Sequence, residues 1–211
     1  MNENNNGRGL FYGVIGVATL IVAIIGATFA YFSVNASITN NNIAGSTVEL
    51  SDTTIAGTLT RVTPSTVSMV PLKTEELQKG ITGEGNQKCI DENGAKVCDI
   101  YTLTINNTSN APVSLAGNLN IIATDMADLR WSLLESPDSA TGATAKAVSD
   151  TVIVANELLA AKNGTKTYHF VIWFNETEEN QNTQAGKNYT GTVTFAAANG
   201  GKITAQFSSG S

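Results

Sequence analysis

Charge is scarce in this sequence, and its scarcity narrows the field. Asp, Glu, Lys and Arg together make up only 14% of the 211 residues, and the balance is acidic, with a net charge of −6. No cluster of Lys and Arg occurs anywhere, which excludes the electrostatic footprint of a nucleic-acid binder and a polybasic patch for anionic lipid. Histidine is nearly absent too. The single His169 sits mid-strand in YHFVIWF and reads as a hydrogen-bonded strand residue. With no HExxH, no GxSxG and no phosphate-cradling glycine loop, the expected catalytic residues are none, and the chain reads as a non-enzyme without cofactor. Two cysteines with one distant histidine make no zinc site, so no metal is expected. Glu176, Glu178 and Glu179, with Asn175, Asn180 and Asn182, offer oxygen ligands for Ca²⁺, but their spacing matches no calcium loop and they read as a solvated loop. Asn106, Asn163, Asn175 and Asn188 each head an N-x-Thr sequon, which chance supplies where Asn and Thr are this common.

What the chain does have is one long apolar run. Leu10 to Phe32, LFYGVIGVATLIVAIIGATFAYF, carries no charge over about 23 residues, enough to cross a hydrocarbon layer as a helix. A short polar leader with Arg8 precedes it, and small residues follow, placed for signal-peptidase cleavage after Ala30 with Thr28 at −3, or after Ala36. The site is read as Thr28, Ala30 and Tyr31; retention of the run as a membrane anchor is the alternative. Any membrane contact comes from residues 10–32 alone. Immediately afterwards the period changes: Phe32, Val34, Ala36 and Ile38 alternate with Ser33, Asn35, Ser37 and Thr39, the pattern of a half-buried strand. Cleavage at Ala30 leaves that strand as a free N-terminal end.

The cysteines fall in CIDENGAKVC. Asn93-Gly94 is the preferred centre of a two-residue type I′ turn, which pairs Asp91 with Lys96 as a cross-strand ion pair and sets Cys89 opposite Cys98 within disulfide reach. Such a bridge contributes roughly 2 to 3 kcal/mol in the chain-entropy model. Strands are expected at Thr47 to Ser51, Gly57 to Thr63, Asp99 to Ile105, Pro112 to Ile122 with a bulge near Gly117, Asp150 to Ala155, Thr167 to Phe174, Tyr189 to Ala197 and Lys202 to Phe207. Thr167 to Phe174 is apolar on both faces and should be central. Short helical turns are expected at Lys73 to Lys79, at the start of Asp125 to Leu134, and at Asn156 to Ala161. The sum is an all-β chain, a jelly-roll-like antiparallel β-sandwich over residues 46–211, behind a hydrophobic helix (signal peptide, 1–30) and an N-terminal strand and linker (31–45).

The leader ending GATFAYFS, the strand NNIAGSTVELS, the block IYTLTINNTSNAPVSL and the closing segments YHFVIWF, NQN…GKNYTGTVTFAA and YTGTVTF resemble the TasA/camelysin family of exported Gram-positive proteins over nearly the whole chain. The leader resembles those read by the SipW-type signal peptidase. The resemblance implies a secreted or cell-surface jelly-roll subunit of biofilm-matrix fibres. In that family's fibres the N-terminal strand of each subunit completes the sheet of its neighbour, which makes Phe32, Val34, Ala36 and Ile38 the implied donor strand. The implied partners are other copies of the chain, head to tail, the signal peptidase during export, and an accessory matrix protein. A membrane-anchored adhesin or pilin-like module is the alternative. The metalloprotease activity attached to the camelysin name finds no zinc motif here.

Overall fold

The computed structural model describes residue 19 and residues 47–51, 54–63, 69–82, 88–184 and 186–209. The strands all lie in the unit Ser37–Ser211. In order they are β1 (Thr47–Ser51), β2 (Ile55–Arg61), β3 (Cys98–Asn107), β4 (Val113–Ile122), β5 (Leu129–Leu134), β6 (Lys146–Ala147), β7 (Val152–Leu159), β8 (Thr165–Phe174), β9 (Thr190–Ala197) and β10 (Lys202–Ser208). A 3-10 turn, Thr74–Glu76, leads into the short helix α1 (Leu77–Ile81). The expected all-β antiparallel sandwich is what forms. One sheet has the order β1-β2-β3-β8-β5-β6 and the other β10-β9-β4-β7, with every named pairing antiparallel. From β3 the chain crosses to β4, returns for β5 and β6, crosses to β7, returns for β8, and finishes in the β9–β10 hairpin.

Alternation drives this arrangement. In β2 the residues Ile55, Gly57, Leu59 and Arg61 are buried while Ala56, Thr58 and Thr60 are half-buried, and in β4 Val113, Leu115, Leu119 and Ile121 face inward. The facing rows meet through aromatic rings: Tyr101, stacked at 5.1 Å on its neighbour Phe170 in the same sheet, packs on Phe207 of the other sheet at 4.7 Å, and Tyr168 lies 4.9 Å from Phe195. Strand β8 is central, between β3 and β5, and Phe170 through Phe174 are wholly buried on both faces. The described part of the β2–β3 connection is held to this end of the sheet by the Leu72 N–H to the Phe174 carbonyl at 2.9 Å, and contributes Leu77, Ile81 and Val97 to the core.

Several expectations are corrected. The helical turn expected at Asn156 to Ala161 does not form, because β7 runs on to Leu159, paired with Val113 of β4. The stretch from Asp125 begins with a turn and no helix: Asp125 takes φ 60 and the Leu129 N–H bonds the Met126 carbonyl before β5 starts. The helix after Lys73 does not close at Gly80 but continues to Ile81.

The bulge near Gly117 is real. Pairing between β4 and β7 shifts on either side of Gly117, with extra residues accommodated in β7. A Cβ on Gly117 would sit 2.4 Å from the Phe195 ring, so this glycine is required by close approach of an aromatic side chain. Gly117→Ala is therefore expected to lower unfolding stability by about 1 to 3 kcal/mol through overpacking, checked by chemical denaturation monitored at the tryptophans.

Candidate functional site

The disulfide hairpin and the groups it carries inward form the most concentrated chemistry in the molecule. Cys89 and Cys98 are bonded, with Cα atoms 4.9 Å apart, and both are fully buried. The expected pairing was off by one residue. Instead of a two-residue turn, Glu92, Asn93 and Gly94 form the loop: Gly94 N–H bonds the Asp91 carbonyl at 3.0 Å, Asp91 N–H bonds the Ala95 carbonyl at 2.8 Å, and Ile90 pairs with Lys96. The cause is local. The Asp91 carboxylate accepts the N–H groups of Asn93 (3.0 Å) and Ala95 (2.7 Å), and Gly94 at φ 79 supplies the left-handed residue that a three-residue hairpin needs. Cys89, at φ 59, absorbs the remaining offset.

This shift also corrects the ion pair. Asp91 is occupied by its own turn, and Lys96 does not pair with it. Lys96 is fully buried and its Nζ lies 2.8 Å from Asp99 Oδ1 and 3.2 Å from the Ser209 carbonyl. Asp99, also fully buried, is surrounded. Its Oδ1 accepts from Arg61 Nε (3.1 Å), Arg61 Nη2 (2.7 Å) and Thr63 Oγ1 (2.9 Å), and its Oδ2 accepts from Tyr189 Oη at 2.7 Å. Arg61 also donates to the Ser209 carbonyl at 2.9 Å, and Tyr101 Oη reaches the Ser208 carbonyl at 3.3 Å. One carboxylate and two cations thus bind β2, β3, the hairpin, the entry to β9 and the end of β10 into one knot between the sheets.

Burial sets the protonation of these groups. It lowers the Lys96 pKa, with Asp99 acting in the opposite direction, and it raises Tyr189 well above an ordinary phenol, with Asp99 adding to the effect. Tyr101 is raised for the same two reasons. No member of the knot faces solvent, so its chemical capacity is to clamp. No sequence signal could have located it, since Arg61, Asp99, Tyr189 and Ser209 are separated by as many as 148 residues.

The other candidates disperse. His169 is half-buried in β8, its Nδ1 is 2.9 Å from Thr102 Oγ1, and burial lowers its pKa: the strand residue expected. Glu176, Glu178 and Glu179 are exposed, and their loop is staked down by Gln181 and Gln184, whose Nε2 atoms donate to Asp128 Oδ2 at 2.8 and 2.7 Å. Those bonds, Gln181's first, lower the Asp128 pKa. The donor-strand residues Phe32, Val34, Ala36 and Ile38 and the cleavage-site residues Thr28, Ala30 and Tyr31 lie outside the described residues. Among the described residues no helix is long and apolar enough to cross a membrane, and no group of three or more His, Cys, Asp or Glu is placed to hold a metal ion.

No family model and no curated protein matches this chain. Among solved structures it is similar to a FixG-related protein from Vibrio parahaemolyticus (8% identity, TM-score 0.33, covering 72% of this chain and 94% of that one). It is also similar to the GAE domain of GGA2p from Saccharomyces cerevisiae (10%, 0.31, 77% and 96%) and to the cupredoxin domain of amoB from Nitrosocaldus yellowstonii (10%, 0.31, 74% and 86%). Likeness at this level bears on no functional assignment.

Asp99→Asn leaves two buried cations without their anion and should cost about 3 to 5 kcal/mol, whereas Lys96→Met keeps the Arg61–Asp99 pair and should cost far less; urea titration of both variants checks the order. The phenols of Tyr101 and Tyr189 are neutral in the fold and raised above the ordinary value of about 10, so their contribution is complete below that pH and is lost as pH rises, because the unfolded chain ionises first. In an alkaline titration, phenolate absorbance from these two should appear only together with loss of the folded circular-dichroism signal.

Proposed function

We propose that this protein is an exported structural subunit of extracellular fibres, without catalytic activity, that assembles by lending its N-terminal strand to the sandwich of the next copy. The observation that carries the reading is the junction at Ala30 and Tyr31, where an apolar, charge-free leader runs directly into the alternation of Phe32, Val34, Ala36 and Ile38. A strand freed there has one apolar face and a full set of backbone donors and acceptors, and addition to another copy's sheet satisfies both. Because donor and acceptor are different surfaces, the contact is heterologous and propagates without closing.

Two structural facts support this reading. The disulfide between Cys89 and Cys98 belongs to an oxidising compartment, as an exported protein requires. The fold is a two-sheet antiparallel sandwich, whose sheets end in edge strands able to accept another. The length of the apolar run favours one second reading, a surface module held in the membrane by residues 10–32, with the sandwich displayed as an adhesin or pilin-like domain.

Deletion of Phe32 to Thr39 should yield a folded protein, with its disulfide formed, that makes no fibres in electron micrographs. Fibres from the deleted chain would rule out the donor assignment. N-terminal sequencing separates the two readings: a start at Tyr31 supports the fibre subunit, and Met1 in a membrane fraction supports the anchored module.

A further inference from the structure

The outer face of the four-stranded sheet differs from the rest of the described surface in its uncovered apolar side chains. Its outward residues include Ser114, Ala116, Asn118, Asn120 and Ile122 on β4, Val152 and Leu158 on β7, alternate residues from Thr190 to Ala196 on β9, and Lys202 and Gln206 on β10, where Thr204 between them is buried. No acid is among them. Glu157, the only acid in the four strands, stands opposite the inward Leu115 and is salt-bridged to Lys166 of the other sheet at 2.6 Å. Among the described residues the one charged group on the face is Lys202, at the β10 margin. The exposed large hydrophobic side chains of the described residues are also all here: Ile122 at 61%, Val152 at 45% and Leu158 at 74% exposure.

We propose that this face is a self-association surface, on which a second copy of the chain stacks sheet against sheet. Charge identifies the occupant. Two molecules of net charge −6 repel wherever their acids meet, and an acid-free face is where copies approach without that cost. A cationic partner, by contrast, finds no carboxylate on this face to pair with.

The dimensions agree with a weak contact. Four strands spaced at about 4.8 Å, each about 25 Å long, present on the order of 500 Å² per copy. The pair then buries on the order of 1,000 Å², the lower bound for a specific interface. The contact is therefore reversible in isolation and gains strength wherever copies are held in a row. It uses none of the residues 32–39 and stands independently of the donor strand.

The test is sedimentation velocity on the chain as its host processes it, over a concentration series up to about 1 mM, with and without deletion of residues 32–39. The deleted chain should show reversible association, and the intact chain the same association beside its strand-linked polymer. The exposed Asn118 and Asn120 lie at the middle of the face, and the double substitution Asn118→Glu/Asn120→Glu should weaken the association by about tenfold or more. A matched pair on the outer face of the six-stranded sheet, Thr165→Glu/Thr167→Glu, should leave it unchanged. Unchanged melting temperatures would show that all variants fold. The proposal is overturned if the deleted chain stays monomeric throughout, or if the two glutamate pairs weaken association equally.

Discussion

Asp99 is the constraint on which the rest of the structure depends. A carboxylate removed from water is tolerated only when opposite charge and hydrogen-bond donors surround it, and here those donors come from three separate parts of the chain. Because Arg61 and Lys96 also hold the Ser209 carbonyl, the same groups that neutralise Asp99 secure the end of β10. The last strand of the fold is thereby tied to its second and third, across both sheets. Contacts of such long range are slow to form.

The disulfide takes its meaning from that knot. Cys98 immediately precedes Asp99, and Cys89 closes the hairpin whose returning strand carries Lys96 inward. Fixing the hairpin fixes where the Lys96 amine lies, so a covalent link formed in an oxidising compartment reduces the entropy lost on assembling a buried ionic site. The apparent luxury of a staple in a domain large enough to bury a real core is explained by this coupling.

Much of the fold was legible in the sequence because periodicity is local. TYHFVIWF declares a strand covered on both faces, and β8 is central; VSLAGNLNII declares a bend at Gly117, and the β4–β7 register shifts there. Errors arose where a local preference had two outcomes. Asn93-Gly94 suits a two-residue turn, but the Asp91 side chain draws the loop out to three by capping its amides. Asn156, Glu157 and Leu158 suit a capped helical turn, but the free edge of β4 from Val113 to Leu115 recruits them as strand. The Asp99 knot was illegible for a different reason: charged residues in a chain with few of them look like surface, and only topology brings Arg61, Lys96 and Tyr189 to one carboxylate.

Low charge and the knot are two aspects of one design. Of the few charges available, Arg61, Lys96 and Asp99 are spent in the interior, which leaves the strand faces to Thr, Asn, Ser and small apolar residues. A surface of that kind solvates adequately through hydroxyls and amides, yet offers little electrostatic resistance to a second sheet laid against it. On both sheets those hydroxyls are partly occupied with one another, Thr104 with Thr167 and Thr194 with Thr204, each at 3.2 Å. On the four-stranded sheet the uncovered Ile122, Val152 and Leu158 shift the balance toward contact. The proposed self-association needs no more than this, a fold tied together inside and a face on which little charge opposes a second copy.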